Sequence, residues 1–396
     1  MVFFQLKNKC RAQPTATAQT LVTEALREVV PEGHRMQKHF KPDNSNLIRA
    51  AQRHKTEELP KNPTSPDFVL DLQWIKERAG NLDVITDICG EERIIIFSKD
   101  YLLKLFSTRK LVFVDGTFRI RPAVFACASG QVFTMHGYVH LEDRNSKLVP
   151  LIYVLMTRRR QSSYEAVFHA LNSALADGDL MLQSEMFLAD FEPAVWNAAK
   201  EVFGVDMHGC AFHWSQSFQR QAAKVGLWDA VKDDADMNMN MLRLQHFQFL
   251  PPNHIVRALS KLELLYSADM GDTHPVRHMI LYMKKTWVTS NTHPPSSWSQ
   301  FGAIIRTNNG VESFHRKINK IIGIRPRLYL FISSIESNAK TNMEEISSED
   351  FCRDVRAGQI QRDLAIERAQ ALYREKSMTP KDYLDKIVRI YKPKRV

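Results

Sequence analysis

The residues that most directly suggest chemistry are three carboxylates, Asp115, Asp190 and Glu312. Cutting a phosphodiester with divalent cations takes several carboxylates brought to one point. Such ions want hard oxygen ligands and bracket the attacking and leaving oxygens. Asp115 ends or interrupts the apolar run of LVFVDGTFRI, and an Asp at the carboxyl end of a central strand projects into the crevice there. The same Asp-Gly pair is a preferred hairpin turn, which would account for Asp115 and Gly116 without chemistry. Asp190 follows MFLA and precedes a helix opened by Pro193; capping that helix, together with Glu192, is its structural alternative. Glu312 lies in TNNGVESFHRKINKII, at capping-box spacing from Asn309. Val311, Phe314, Ile318, Ile321 and Ile322 mark the buried side of that helix, and Glu312, Arg316 and Asn319 fall on a different stripe. Spacing alone leaves both readings open at each position.

The elements that would carry these residues change period along the chain. LVFVDGTFRI, VFACASG, QVFTMHGYVH and LVPLIYVLM read as strands separated by turn residues. Ser162 with Glu165 suggests a capping box, and Val167, Phe168, Leu171 and Leu175 recur at helical spacing. SEMFLAD reads as a buried strand; Val195, Trp196, Ala199 and Phe203 follow on one helix face, and VDMHGCAFH reads as a further strand. Strands, helix, strand, helix, strand, helix is the order of a mixed α/β sheet with helices on its faces. The expected division is an irregular region over 1–70, holding one helix (LVTEALREVV) and a Pro-rich linker; the first part of a catalytic core over 71–214; a helical insertion over 215–300; the end of the core over 301–345; and a charged helical tail over 346–396. DLQWIKERAGNLDVITDI suggests one or two short helices.

Lys and Arg number 54 against 44 Asp and Glu, a formal charge of +10. A basic balance favours polyanionic partners, since neutralised phosphates release counterions. The five cysteines are few, odd in number and spread out, which points to a reducing compartment and away from a disulfide framework. No run approaches the ~20 apolar residues that span a bilayer, so a soluble intracellular protein is expected.

From about 92 to 345 the chain resembles the Mutator-like (MULE) transposases. The matching phrases, in order, are RIIIFS, FVDGTF, MHGYVH, LVPLIYVLM, FLADFEPAVWNA, GCAFHWSQ, LPPNHIV and RTNNGVESFH. The resemblance implies an RNase H-like fold and a DNA transposase that cleaves and joins DNA with Mg²⁺ (or Mn²⁺). Its metal-binding catalytic triad falls on Asp115, Asp190 and Glu312. It implies DNA as partner (element terminal repeats and target), a homo-oligomer on that DNA, and action in the nucleus. A Cys-x2-His motif of the family falls on Cys210 and His213, either as part of a zinc site, with His208 as an awkward third ligand, or as structural support. Structural zinc wants four ligands, and only two are local.

Relatives often begin with a FLYWCH- or WRKY-like zinc finger. NKCRA and EGHRMQKHF resemble a degenerate remnant of it, with Cys10, His34 and His39. Arg158, Arg159 and Arg160 before one helix, and Arg316 and Lys320 on the helix of Glu312, are the candidate phosphate contacts. The basic ending YKPKRV fits a nuclear import signal. The alternative from another class is a domesticated or decayed relative that binds DNA as a regulator without catalysis.

Overall fold

Runs of β-branched and aromatic residues become the strands around which the chain is built. The structure, a computed structural model, describes residues 1–396 except 13–17, 30–43, 58, 79, 81, 127–128, 140–146, 268–270, 272, 304, 348–356 and 392–396. In chain order, α1 (Val2–Ala12), α2 (Ala18–Val29), α3 (Asn44–Glu57) and α4 (Leu72–Arg78) precede β1 (Asp83–Cys89), β2 (Arg93–Ser98) and α5 (Asp100–Thr108). Then come β3 (Leu111–Thr117), β4 (Gln131–Val139), β5 (Lys147–Met156), α6 (Gln161–Asp177), β6 (Met186–Ala189), α7 (Pro193–Phe203) and β7 (Asp206–Gly209). Helices follow: α8 (Ala211–Val225), α9 (Leu227–Val231), α10 (Ala235–Gln245), α11 (Pro252–Ser267), α12 (Pro275–Tyr282), α13 (Asn309–Ile322), α14 (Leu328–Ser347), α15 (Ala357–Arg374) and α16 (Pro380–Tyr391). Two units result, Met1–Ser184 with Gly310–Phe351, and Glu185–Asn309 with Cys352–Val396.

The first unit holds five antiparallel strands in the order β1-β2-β5-β4-β3. Apolar burial fixes the register: Ile94–Phe97 of β2 and Leu151–Met156 of β5 are almost wholly buried, and a one-residue slip would turn each side chain to the other face. On one face Phe133 meets Tyr164 and Phe168 of α6, with ring centroids 5.2 and 6.4 Å away. On the other, Tyr153 donates its hydroxyl to Asn338 of α14 at 3.0 Å and lies 6.3 Å from Phe314 of α13. The sheet is therefore covered on both sides, which its buried strands require.

In the second unit β6 and β7 run parallel, joined by α7. Pro193 opens α7 and Gly204 closes it at φ 65°, the left-handed conformation in which a side chain would be strained. Around Trp214, which stacks on Trp298 at 5.3 Å, helices α8 to α12 and both C-terminal helices share one core that includes Met241, Ile255, Met283, Ile366, Tyr383 and Ile387. The antiparallel meander followed by a parallel βαβ is the mixed α/β succession expected from the sequence, with a helical segment before the helix of Glu312. No helix among the described residues is long and apolar enough to cross a membrane.

Several local expectations do not hold. DVITDI is not helical: it lies in β1, where Val84, Thr86 and Ile88 pair with β2 and the register shifts between Val84 and Thr86. Val124 and Phe125 of VFACASG lie in a 3-10 turn over Ala123–Phe125, because Pro122 fixes the backbone at its start and offers no amide to a ladder. VDMHGCAFH is strand only to Gly209, and α8 begins at Ala211. Helix α6 starts at Gln161, so Ser162 caps nothing, and Glu165 accepts from the Gln161 amide at 2.7 Å. Ile321 is 38% exposed, outside the buried stripe of α13. The described residues before 58 are more regular than their composition suggests: α1, α2 and α3 bury Leu6, Cys10, Leu21, Val22, Leu47 and Ala51 in a small core of their own.

Candidate active site

Asp115 is not in a turn. It lies inside β3 opposite Thr134 of β4, and Gly116 lies opposite Phe133. The Asp-Gly pair is thus a strand segment, and the hairpin explanation of the acidic residue is excluded. The Asp115 side chain is only 12% exposed. One carboxylate oxygen, Oδ1, accepts the amide of Gly116 at 2.9 Å. The other, Oδ2, lies 3.3 Å from Nδ1 of His315.

His315 belongs to α13, three residues after Glu312, so both project from neighbouring positions on one side of the helix. Apolar contacts fix that helix: Val311 and Ile318 are buried, and the Phe314 ring meets His136 edge-on at 5.0 Å. Gly310 lies so close to Leu148 that an added Cβ would come within 2.8 Å of its side chain. Glu312 itself is half-buried. Two of the three expected carboxylates therefore come from elements that pack together in the first unit, linked through His315.

Behind Asp115 lies a polar row. The Thr134 hydroxyl is 2.9 Å from Nε2 of His315 and 2.9 Å from Nε2 of His136. Complete burial drives the His136 pKa well below the ordinary imidazole range, and the adjacent His315 lowers it further, so His136 is neutral. Neither histidine was singled out as functional from the sequence. The available signal was the i, i+3 spacing of Glu312 and His315 and the alternation of Thr134 and His136 along QVFTMHGYV.

Asp190 follows β6 in the second unit and is half-buried. It does not cap α7. The cap position is Glu192, whose side chain makes no capping bond. Instead Oδ1 of Asp190 accepts the Glu192 amide at 3.1 Å, and its carbonyl accepts the Trp196 indole N–H at 2.6 Å. The carboxylate is thus held in a loop by short-range bonds at the carboxyl end of a strand.

Carboxylate oxygens are the ligands that Mg²⁺ or Mn²⁺ takes, so the donor chemistry of Asp115, Asp190 and Glu312 fits such an ion. Among the described residues, no three His, Cys, Asp or Glu side chains are already gathered as a metal site. Cys210 is fully buried; its thiol donates to Oδ1 of Asn308 at 2.9 Å, and its sulfur accepts the Asn308 amide at 3.4 Å. These bonds join Cys210 to the residue just before α13. His208 is buried in β7, with its pKa lowered by that burial and a hydrogen bond to Gln300 opposing the shift. Cys10 packs in the core of α1, α2 and α3 with its thiol 3.7 Å from the Ala51 carbonyl. His34 and His39 lie outside the described residues.

The candidate phosphate contacts all lie in the first unit. Arg159 is held by the Ser129 carbonyl at 3.0 Å and lies over the ring of Phe118 at 4.8 Å; Arg121 lies 5.9 Å from the same ring. Phe118, three residues after Asp115, is 46% exposed. Arg158 lies 3.6 Å from Glu91, and Arg160 is exposed at the cap of α6. Arg316, Lys317 and Lys320 are exposed on α13. Lys392, Lys394 and Arg395 of the C-terminal basic motif lie outside the described residues.

Residues 111–217 match the MULE transposase domain, a span that contains Asp115, Asp190, Cys210 and His213 and ends before Glu312. No curated protein matches the chain. Among solved structures, the chain is similar to the Drosophila P element transposase strand transfer complex, at 11% identity and a TM-score of 0.22, over 95% of this chain and 99% of that one. That likeness is too slight to inform the fold or the chemistry.

Proposed function

We propose that this chain, which carries a MULE transposase domain over residues 111–217, is a DNA transposase that cleaves and joins phosphodiesters with Asp115, Asp190 and Glu312 as ligands of Mg²⁺ or Mn²⁺. The observation that carries the reading is the placement of Asp115. It sits within a buried strand, with its carboxylate fixed by a histidine from the same helix turn as Glu312. A structural aspartate in a turn would need neither the burial nor that partner.

The bound cation would supply charge stabilisation to the pentavalent phosphate and a more acidic attacking water. The chain's own residues do the rest. Asp115, Asp190 and Glu312 present ligand oxygens. Arg158, Arg159, Arg160, Arg316 and Lys320 bind backbone phosphates and set the register of the DNA. No side-chain nucleophile is required, because water opens the first bond and the freed 3′-hydroxyl attacks the second; alignment of the reacting oxygens provides much of the rate. Action in the nucleus, as a homo-oligomer on DNA, belongs to the same proposal.

The test is excision of a reporter insert bounded by the DNA that flanks the coding sequence, with purified protein. Mg²⁺ or Mn²⁺ is expected to support excision, and Ca²⁺ is not, since its loose coordination positions reacting oxygens poorly. DNA binding without excision under any divalent ion would favour the regulatory alternative.

A further inference from the structure

We propose that His136, Thr134 and His315 form a directed hydrogen-bond chain ending on Asp115, and that this chain is a positioning device for the Asp115 carboxylate. The catalytic consequence rests on the function proposed above; the direction of the chain does not.

The chain follows from counting protons. Its members are buried: His136 is 0% exposed, Thr134 1% and His315 6%. Three links run in series, His136 Nε2 to Thr134 Oγ1 at 2.9 Å, Thr134 Oγ1 to His315 Nε2 at 2.9 Å, and His315 Nδ1 to Asp115 Oδ2 at 3.3 Å. A neutral imidazole has one N–H, and a threonine hydroxyl has one O–H. Nδ1 of His136 is buried and meets no hydrogen-bond partner among the described residues. A proton there would be stranded, whereas one on Nε2 reaches Thr134. Thr134 then accepts from His136 and has a single hydrogen to give. The choices are the Asp115 carbonyl at 3.3 Å and His315 Nε2 at 2.9 Å. The shorter bond makes Nε2 of His315 an acceptor, which places its hydrogen on Nδ1, facing Asp115. Each hydrogen in the row then meets one acceptor.

The result for Asp115 is a carboxylate held at both oxygens, by the Gly116 amide on Oδ1 and by His315 on Oδ2. Each carboxylate oxygen keeps a further lone-pair direction, so the restraint is compatible with ligation. Histidines that touch a ligating group commonly act this way, and loss of such a partner costs roughly 10- to 100-fold in activity or metal affinity. The strand register makes the row possible: Thr134 sits directly opposite Asp115, and His136 follows two residues on, on the same face.

Two measurements decide the proposal. The first is ¹⁵N long-range correlation NMR of the histidine rings in the full chain, with His315 and His136 assigned by single substitution. The expected pattern is the Nδ1–H tautomer for His315 and Nε2–H for His136. In Thr134→Val, which keeps the shape but removes the hydroxyl, His315 is expected to lose its fixed tautomer. A wild-type His315 protonated at Nε2, or a spectrum unchanged in Thr134→Val, would overturn the directed chain. The second is excision: Thr134→Val is expected to fall about 10- to 100-fold with DNA affinity unchanged, and Thr134→Ser to stay within about threefold of wild type. Equal losses in both variants would point to packing and reject positioning. If the wild type itself excises nothing, the proposed function fails, and the tautomers still decide the chain.

Discussion

Glu312→Gln is expected to lower excision by at least about a thousandfold, the scale on which removal of one preorganised electrostatic group acts. Glutamine keeps the shape and the half-buried, first-turn position in α13 but removes the charge a cation needs. Stability should stay within about 0.5 kcal/mol in urea unfolding, because Glu312 is only half-buried and the helix is docked by Val311, Phe314 and Ile318. Asp115→Asn is expected to lose activity on the same scale. The double variant should be scarcely worse than either single one, since ligands of one ion act as a unit. An excision rate within tenfold of wild type for Glu312→Gln would remove Glu312 from the site. Additive losses would indicate separate roles for the two residues.

DNA affinity is expected to collapse as salt rises. The formal charge is +10, and Arg160, Arg316, Lys317 and Lys320 are exposed in the same unit as Asp115. If about six phosphates are neutralised, the affinity falls by roughly a thousandfold between 50 and 200 mM salt, since log K declines by about 0.9 per phosphate per decade. Titration of labelled duplex by anisotropy across that range gives the slope. Replacing Arg316 and Lys320 with Gln should lower it by about 2, one unit for each lost contact, and weaken binding on all sequences alike. A flat salt dependence, or a slope untouched by the double substitution, would count against these residues as phosphate contacts.

Much of the architecture was legible because local signals agreed with it. β4, β5 and α6 appear where the period changes from two to helical, and α7 lies between Pro193 and Gly204, residues suited to a helix start and a left-handed stop. Where signals conflicted, tertiary pairing decided. The Asp115-Gly116 dipeptide carries a strong turn preference, and only its partnership with Thr134 and Phe133 places it in a strand. The helix-like spacing of apolar residues in NLDVITDI hid β1, which exists because β2 pairs with it. The three N-terminal helices likewise depend on a core made by residues far apart, from Leu6 to Ala51.

The carboxylates themselves could be nominated from sequence, but not the groups that hold them. His315 and Thr134 are 181 residues apart, and nothing local links them. The partner of Cys210 was equally hidden: Asn308, to which its thiol donates, is 98 residues away.

The central claim is that Asp115, Asp190 and Glu312 bind one cation cluster. It is tested most directly by replacing Mg²⁺ with Fe²⁺ in the DNA-bound protein and mapping backbone cuts made by the hydroxyl radicals that the iron generates locally. The expected result is three sets of cuts, near residues 115, 190 and 312, all suppressed by excess Mg²⁺ and lost together in Glu312→Gln. Cuts confined to one segment, or centred on Cys210 and His213, would contradict it.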